Sequence, residues 1–372
     1  MKKTIIILGE QYWFDDVVEK IQGSKYITKY VLNKNDKRFN YVLLKNPGEL
    51  IETINRVKPE NIRALFLFQD TLTDSYLNNK KIVGMKRYLL DLIKYNNIFV
   101  YPPPDVIDNF GSKRYNKTLI DKLEWAQLPG TRVLKIENYH PNKENKIIED
   151  LWKIVNEMWK EHEVVVVKKG YSYNGTQVLK FNKNVTKTYN EFKEKAQKLN
   201  KKYFWGKARS AIPHEINVDR YYIIQGYNKI VAHGSNEYRI FFHNGKAKYI
   251  ANGSNIPNTC LEDQSKKPLL KEIIKFAKKL YPEYLKIFWP LERKPILFRI
   301  DVSYAVDPIF QDKYSIKVND ELVRMYANEM EIDPTSFFYN KFICESIPDF
   351  TSKKLQINMA KYIRKYIHTL SE

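Results

Sequence analysis

Apolar and polar positions alternate in two different periods along roughly the first hundred residues. Short runs of β-branched and aromatic residues predict strands, and apolar residues spaced three to four positions apart predict helices. The predicted strands are at 4–8, 41–44, 64–68 and 97–101, with helices ending near 57 and spanning 88–95. Such alternation indicates a parallel sheet covered on both faces. Three consecutive prolines from Pro102 stop regular structure, so we place a first domain boundary near Asn109.

Later segments contain more strands that follow one another directly. Residues 110–222 predict helices at 112–127, 145–162 and 189–203 and strands at 131–136, 164–167 and 176–181. From 221 to 251 the pattern predicts successive strands, with a hairpin turn at His243-Asn244-Gly245. The remaining predictions are a helix at 267–280, strands at 296–305 and 314–318, and a terminal helix at 351–370.

The composition and charge of the chain limit the classes of protein to which it can belong. The chain has 372 residues, of which 43% are hydrophobic, so it is large enough for two or three domains and too apolar for a disordered chain. Its net charge of +20 would suit nucleic acid, acidic tails or phosphorylated small molecules. The lysines are spread over helix faces, so nucleic acid is not favoured. No apolar stretch is long enough to cross a membrane, and the two cysteines indicate reduced thiols, so we expect a cytoplasmic protein.

Four valines at 164–167 lead into Lys168, Lys169 and a short loop with glycines at both ends. Side chains alternate across a strand, so one lysine would enter a cleft while the other is solvated. The loop from Gly170 to Gly175 would turn backbone N–H groups toward phosphate oxygens. An ordinary hairpin with Asn174-Gly175 as its turn is the alternative, and this segment alone favours that alternative.

Three further segments favour nucleotide binding. Lys113 stands at the start of a predicted helix that follows the prolines. The segment 223–227 is typical of an adenine-binding hinge, because an apolar strand that ends in a polar linker offers backbone groups beside an apolar slot. Glu237 would accept the ribose hydroxyls. Asp301 and Asn319, expected on neighbouring strands, offer magnesium hard oxygen ligands.

In this order the segments resemble the ATP-grasp superfamily, and in particular carboxylate–amine ligases such as D-alanine–D-alanine ligase, glutathione synthetase and the tubulin tyrosine ligases. The resemblance covers nearly the whole chain. It implies an α/β fold with α+β character in the C-terminal part: an N-terminal parallel-sheet domain at 1–109, then a two-lobed ATP-grasp domain with antiparallel sheets. The central lobe would span 110–222 and carry a phosphate-covering loop. The C-terminal lobe would span 223–372 and carry the metal site and terminal helix.

The resemblance also implies residue roles. The implied nucleotide-binding residues are Lys113, Lys168, Gly170, Ser172, Gly175, Gln225, Tyr227 and Glu237. Arg239 and Arg299 are the implied catalytic residues, which would stabilise an oxyanion. The implied magnesium ligands are Asp301, Asn319, Asp320 and Glu321.

One motif departs from the family pattern. The family has Glu-x-Asn in its last motif, where the glutamate bridges two magnesium ions, and this chain has Lys317-Val318-Asn319 at that place. A lysine would repel the ion. Either Asp320 or Glu321 substitutes for the missing acid, or the site is degraded and binds nucleotide without catalysis.

The implied activity is a ligase that uses ATP and Mg²⁺ and joins a carboxylate to an amine through an acyl phosphate. The partners would be ATP and a small-molecule or peptide carboxylate, with an acidic substrate favoured by the basic residues. One alternative is an ATP-grasp kinase of a phosphorylated small molecule, which the net charge of +20 would also suit. A nucleotide-binding protein without catalysis is the other, and the oligomeric state stays open.

Overall fold

The computed structural model describes residues 2–9, 31, 38–44, 49–68, 85–111, 113–170, 178–199, 219–227, 237–252, 267–306, 312–332 and 361–371.

A four-stranded parallel sheet forms the N-terminal part, in the order β2-β1-β3-β4. Its elements are β1 (Lys3–Gly9), β2 (Phe39–Leu44), α1 (Glu49–Val57), β3 (Ile62–Phe68), α2 (Met85–Asn96) and β4 (Phe99–Tyr101). Ile6 and Leu65 pack against Leu50 of α1 and Leu89 of α2. Parallel strands bury both faces, which explains why these segments are apolar throughout. The predicted α/β character of this region is confirmed.

Helix α3 (Pro104–Gly111) begins inside the proline run that we expected to stop regular structure. That expectation was wrong because proline is well tolerated at the first position of a helix, where its missing N–H has no partner to lose. The predicted helix at 112–127 is instead a short helix α4 (Tyr115–Lys122) followed by a 3₁₀ turn at Glu124–Ala126.

The central lobe is an antiparallel sheet in the order β5-β8-β6-β7. Its elements are β5 (Arg132–Ile136), α5 (Glu144–Met158), β6 (Val164–Lys169), β7 (Val178–Asn182), α6 (Tyr189–Gln197) and β8 (Arg220–Gly226). Helices α5 and α6 pack on the sheet through Leu151, Val155 and Phe192. Because β8 lies wholly in this sheet, a boundary at residue 222 divides a strand.

The C-terminal lobe is a five-stranded antiparallel sheet in the order β10-β9-β11-β13-β12. Its elements are β9 (Glu237–His243), β10 (Lys246–Asn252), α7 (Lys267–Phe288), β11 (Leu297–Val306), β12 (Ile316–Val318) and β13 (Glu321–Glu331). Asn244 and Gly245 turn with positive φ, which confirms the predicted hairpin. Ile273 and Leu280 of α7 are fully buried in this lobe, and each contributes roughly 1.5–3 kcal/mol. Strand β13 was not predicted.

The end of the chain returns to the N-terminal sheet. A helix at 361–368, α8, packs Ile363 and Tyr366 against Phe66 and Tyr101. Arg63 donates two hydrogen bonds to the carbonyl of Leu370, at 2.9 and 2.7 Å. The first ten residues predicted for this helix lie outside the described part of the chain. Short 3₁₀ turns also lie at Pro59–Asn61, Pro141–Lys143 and Thr369–Ser371. No helix within the described residues has the length and apolar character needed to span a membrane.

Candidate functional site

Charged side chains gather on one face of the C-terminal sheet, opposite the face that packs against α7. Strand pairing sets Arg239 of β9 beside Asp301 of β11, and Asp301 beside Glu329 of β13. Residues two apart on a strand share a face, so the next charged residues follow on the same side. The charged set on these three strands is Glu237, Arg239, Arg299, Asp301, Glu329 and Glu331.

Arg299 is enclosed by three carboxylates. Its Nε lies 2.7 Å from Oδ1 of Asp301, and one terminal nitrogen lies 3.0 Å from Oδ2, which makes a bidentate pair. Glu331 lies 2.8 Å from the other terminal nitrogen, and Glu329 lies 3.7 Å from the first. Burial alone would lower the pKa of the Arg299 guanidinium, but Asp301, Glu331 and Glu329 together raise it above its ordinary value. Arg299 is therefore a fixed cation.

Asp301 is the most buried of the acids, with 1% of its surface exposed. Burial raises the pKa of its carboxyl above the ordinary value, and the nearby charges of Glu237 and Glu329 raise it further, while Arg299 and Arg239 oppose the rise. Nε of Arg239 lies 3.6 Å from Asp301 and 3.8 Å from Glu237. The two arginines thus neutralise acids that would otherwise repel each other.

Lys113 approaches the same face from the segment between α3 and α4. Its Nζ lies 3.6 Å from Oε1 of Glu329. The backbone of Lys113 has a φ of +58°, a left-handed conformation that costs a non-glycine residue about 1–3 kcal/mol. Burial would raise the pKa of Glu329, but Lys113, Arg299, Lys168 and Arg239 lower it overall. Glu329 is therefore a carboxylate held among cations.

Lys168 reaches the same cluster from the central lobe. Its Nζ donates a hydrogen bond of 3.3 Å to Oδ1 of Asn328, and Nδ2 of Asn328 donates to Oε2 of Glu237. Burial lowers the pKa of Lys168, Lys113 lowers it further, and Glu329 and Glu237 oppose the decrease. The structure thus brings together the two predicted lysines, although they lie far apart in the sequence.

Lys169 points away from this cluster, as the alternation along β6 predicted. Its Nζ donates a hydrogen bond of 3.3 Å to the carbonyl of Leu199. The expectation that one of the two lysines would be solvated was wrong, because Lys169 is only 4% exposed. Burial, together with the nearby charge of Arg220, lowers its pKa to about 7.

The predicted hinge residues lie at the end of β8. Gln225 is buried, and its Nε2 donates a hydrogen bond of 3.2 Å to Oγ1 of Thr131. The hydroxyl of Tyr227 accepts a hydrogen bond of 2.9 Å from Nζ of Lys180, which also lies 4.2 Å from the ring centre. These side chains are therefore engaged within the central lobe.

The predicted phosphate-covering loop is described only at its first residue. The N–H of Gly170 donates a hydrogen bond of 2.7 Å to the carbonyl of Tyr221, which continues the pairing of β6 with β8. Ser172 and Gly175 lie outside the described residues. Their predicted contact with phosphate stays a prediction.

Three of the four predicted metal ligands lie away from the cluster. Asn319 and Asp320 form the turn between β12 and β13, with φ values of +47° and +68°. Asp320 is 93% exposed and lies 2.9 Å from Nζ of Lys317. Glu321 begins β13, so at about 3.3 Å per residue it lies roughly 25 Å from Glu329. The prediction that Asp301 and Asn319 lie on neighbouring strands was wrong because β13 lies between β11 and β12.

Residues 328–331 lie beside Asp301 and Arg299, where we expected the metal-binding motif that the sequence analysis placed at 317–319. They were not predicted as site residues. Glu329 and Glu331 lie opposite Asp301 and Arg299 on the neighbouring strand. Their spacing is that of the family's Glu-x-Asn motif, with Glu331 in place of the asparagine. The signal was an acid two residues before another acid, shortly after the segment 322–327, in which Arg324 is the one charged residue.

The acids at this face have the oxygen ligands that suit a magnesium ion, but in this structure they are arranged around Arg299. Asp301, Glu329 and Glu331 supply the hard carboxylate oxygens that magnesium prefers. Across the ranges that the structure describes, however, no three histidine, cysteine or acidic side chains are grouped as a metal site requires. The three carboxylates surround Arg299 instead of one shared point. The donor set fits a magnesium ion, which would compete with the guanidinium for these oxygens.

No protein-family model matches the sequence, and no curated protein matches it either. Among solved structures, the D-cycloserine synthetase DcsG aligns over 98% of this chain and 99% of its own, with 11% identity and a TM-score of 0.52. This likeness shows a shared fold, which confirms the predicted ATP-grasp resemblance at the level of the fold.

Two further structures align with lower TM-scores. The D-alanine–D-alanine ligase from Bacillus anthracis, complexed with ATP, covers 100% of this chain and 97% of its own at 14% identity, with a TM-score of 0.47. A RimK domain ATP-grasp protein from Sphaerobacter thermophilus covers 98% of this chain and 99% of its own at 10% identity, with a TM-score of 0.49.

Proposed function

We propose that this protein is an ATP- and magnesium-dependent ligase that joins a carboxylate to an amine through an acyl phosphate. The observation that carries the proposal is the meeting of Lys113 and Lys168 beside Glu329, between the central and C-terminal lobes. Two cations from separate elements, facing a set of acids, suit a triphosphate with its metal ion better than they suit an uncharged ligand.

The chemistry requires two anions to approach each other. A carboxylate oxygen of the substrate attacks the γ-phosphorus of ATP, the bond to the β–γ bridging oxygen breaks, and ADP leaves. An amine then attacks the acyl carbon, and phosphate leaves. Lys113 and Lys168 would offset the repulsion in the first step, since phosphoryl transfer depends mainly on positioning and electrostatic stabilisation.

Residues around the lysines fit the remaining roles. Glu237 would accept the ribose hydroxyls, and Gln225 and Tyr227 would lie beside the adenine. Asp301, Glu329 and Glu331 would hold magnesium, which supplies charge neutralisation for the phosphates when bound. Gly170, Ser172 and Gly175 stay assigned to the loop over the phosphates.

The two arginines differ in what they can do. Arg299 is 4% exposed and bound to three acids, so it would orient Asp301 and the glutamates. The side chain of Arg239 is 28% exposed at the edge of the cluster. Arg239 is therefore the better candidate to stabilise the oxyanion that forms when the amine attacks.

A catalytically degraded protein is less well supported than the sequence suggested. The ground for that alternative was Lys317 in place of a metal ligand, and Lys317 is 66% exposed on strand β12, two residues before the turn. The net charge of +20 still suits a kinase of a phosphorylated small molecule. The products separate the two: a ligase releases ADP and free phosphate, whereas a kinase releases ADP and a phosphorylated product with no free phosphate.

Calorimetry with a non-hydrolysable ATP analogue and magnesium tests the proposal. Lys113→Ala and Lys168→Ala should each weaken affinity by at least about tenfold, since a hydrogen bond to a charged group contributes about 1.5–3 kcal/mol. Lys153→Ala, which changes an exposed lysine on α5, is the matched control and should bind as the wild type does. Absence of nucleotide affinity in the wild type, or unchanged affinity in both alanine variants, would overturn the proposal.

A further inference from the structure

Strand β13 contains one extra residue at the functional face. Asp301 lies opposite Glu329, but the next residue of β11, Val302, lies opposite Ala327, so Asn328 is left over as a bulge. In a regular strand Asn328 and Glu329 would point to opposite faces. Here Glu329 contacts Lys113 while Asn328 contacts Lys168, which lies in the same cluster. Bulges beside functional sites serve to re-aim side chains in this way.

The Asn328 amide faces two opposite charges with complementary atoms. Its Oδ1 accepts a hydrogen bond from the Lys168 ammonium at 3.3 Å, and its Nδ2 donates to the Glu237 carboxylate. A carboxylate at this position would repel Glu237, and an apolar side chain would bind neither partner. An amide is the side-chain group that has both a carbonyl acceptor and N–H donors for this arrangement.

Both partners keep capacity for a ligand. An ammonium group has three N–H donors, and Asn328 takes one of those of Lys168. A carboxylate has about four acceptor positions, so Glu237 can accept further hydrogen bonds. The amide therefore orients the two charged groups without blocking them.

We infer that Asn328 is a positioning residue, which holds the phosphate-contacting Lys168 and the ribose-contacting Glu237 at a fixed spacing across the two lobes. The inference rests on the proposed nucleotide-binding function. It names a residue that touches neither the phosphates nor the ribose in the proposed site and acts through the two that do.

Calorimetry with ATP, 2′-deoxy-ATP and adenosine tests this role, with Asn328→Leu as the main variant. Loss of both hydrogen bonds should weaken ATP affinity on the order of tenfold. Adenosine, which lacks the phosphates, should lose less, because Lys168 does not contribute to its binding. The preference of the wild type for ATP over 2′-deoxy-ATP should shrink in the variant, because Glu237 is no longer held toward the ribose.

Two further variants keep the test decisive. Asn328→Asp has nearly the same shape and should fold normally, yet it should also weaken ATP binding because it repels Glu237. Asn40→Leu changes an exposed asparagine on β2 and should leave all three affinities unchanged. Circular dichroism confirms that each variant is folded before its affinities are compared.

The outcomes separate this inference from the proposed function. A wild type that binds no nucleotide would overturn the proposed function and the inference with it. A wild type that binds ATP, together with an Asn328→Leu variant that binds equally well, would overturn only the positioning role. Equal losses for ATP, 2′-deoxy-ATP and adenosine would show a general structural effect and would also overturn it.

Discussion

The two ends of β13 have similar residues and different surroundings. Lys317, Asn319 and Asp320 lie just before the strand begins at Glu321. At the other end, Glu329 lies near Lys113 and Lys168. At the turn, Asp320 is 93% exposed and bound by one exposed lysine. At the other end, the acids share a face with Asp301, which is 1% exposed.

This difference shows that residue types alone do not identify a charged site. An ion pair in water is weak because the solvent screens it and the side chains lose freedom on pairing. Charges that are withdrawn from water interact strongly, so their positions are fixed by their partners. Strand register and burial, which decide between these cases, depend on the neighbouring strand.

Replacement of Glu329 should have the largest effect on nucleotide binding. In the proposed site Glu329 helps to hold magnesium, so the wild type should bind ATP more tightly with Mg²⁺ than with EDTA. Glu329→Gln keeps the shape but removes the charge, and we expect at least about a tenfold loss of that magnesium-dependent gain. Calorimetry in the two conditions measures it.

Asp320→Asn is the matched control at the turn end of the same strand. It removes one exposed carboxylate and should leave the magnesium-dependent gain at the wild-type level. A result in which Asp320→Asn abolishes the gain and Glu329→Gln preserves it would place the metal site at the turn, against the present assignment.

Strand β13 shows why the sequence located only part of the site. The strands that carry Lys168 and Asp301 were predicted, because valine and aromatic runs mark them clearly. In β13 a charged residue, Arg324, interrupts the apolar pattern although it is 1% exposed. Its guanidinium donates to the carbonyls of Trp125 and Gln127, partners distant in sequence that no local pattern reveals.

The β12–β13 turn and the bulge at Asn328 were also not evident from the sequence. Asn319-Asp320 adopts positive φ at both positions without the glycine that usually marks such a hairpin. Asn328 faces the site only because of the register shift against β11. Alternation along β6 did assign Lys168 and Lys169 to opposite faces, but the burial of Lys169 depends on packing by residues such as Leu199.

Lys169 lies outside the candidate site and allows the effect of a buried charge on stability to be tested separately. Its pKa is about 7 in the folded protein and about 10.4 in an unfolded chain, so between these values the unfolded chain binds more protons. The free energy of unfolding should therefore rise with pH in this window, by up to about 1.4 kcal/mol per pH unit. Below about pH 7 this contribution is constant.

Lys169→Met should remove this rise. Urea unfolding at pH 7, 8 and 9 should show the variant to be more stable than the wild type at pH 7, with the difference shrinking toward pH 9. Lys153→Met, which changes an exposed lysine on α5, should follow the wild-type pH dependence. A difference between Lys169→Met and wild type that stays constant from pH 7 to pH 9 would contradict the burial of the charge.

Lys317→Glu should have the smallest effect of the three substitutions. In the sequence this lysine stands where the family has a metal-binding glutamate, so the family pattern would predict that Lys317→Glu strengthens magnesium binding. In the structure Lys317 is 66% exposed and pairs with Leu322, seven residues before Glu329, so the two lie roughly 23 Å apart at about 3.3 Å per residue. The Debye length in physiological salt is about 8 Å, so the charge of Lys317 is screened from the site.

Calorimetry should give an ATP affinity with Mg²⁺ that is within about twofold of the wild type. A change of charge at this distance alters the electrostatic potential at the phosphates very little. A gain of tenfold or more would mean that the turn end of β13 takes part in metal binding after all.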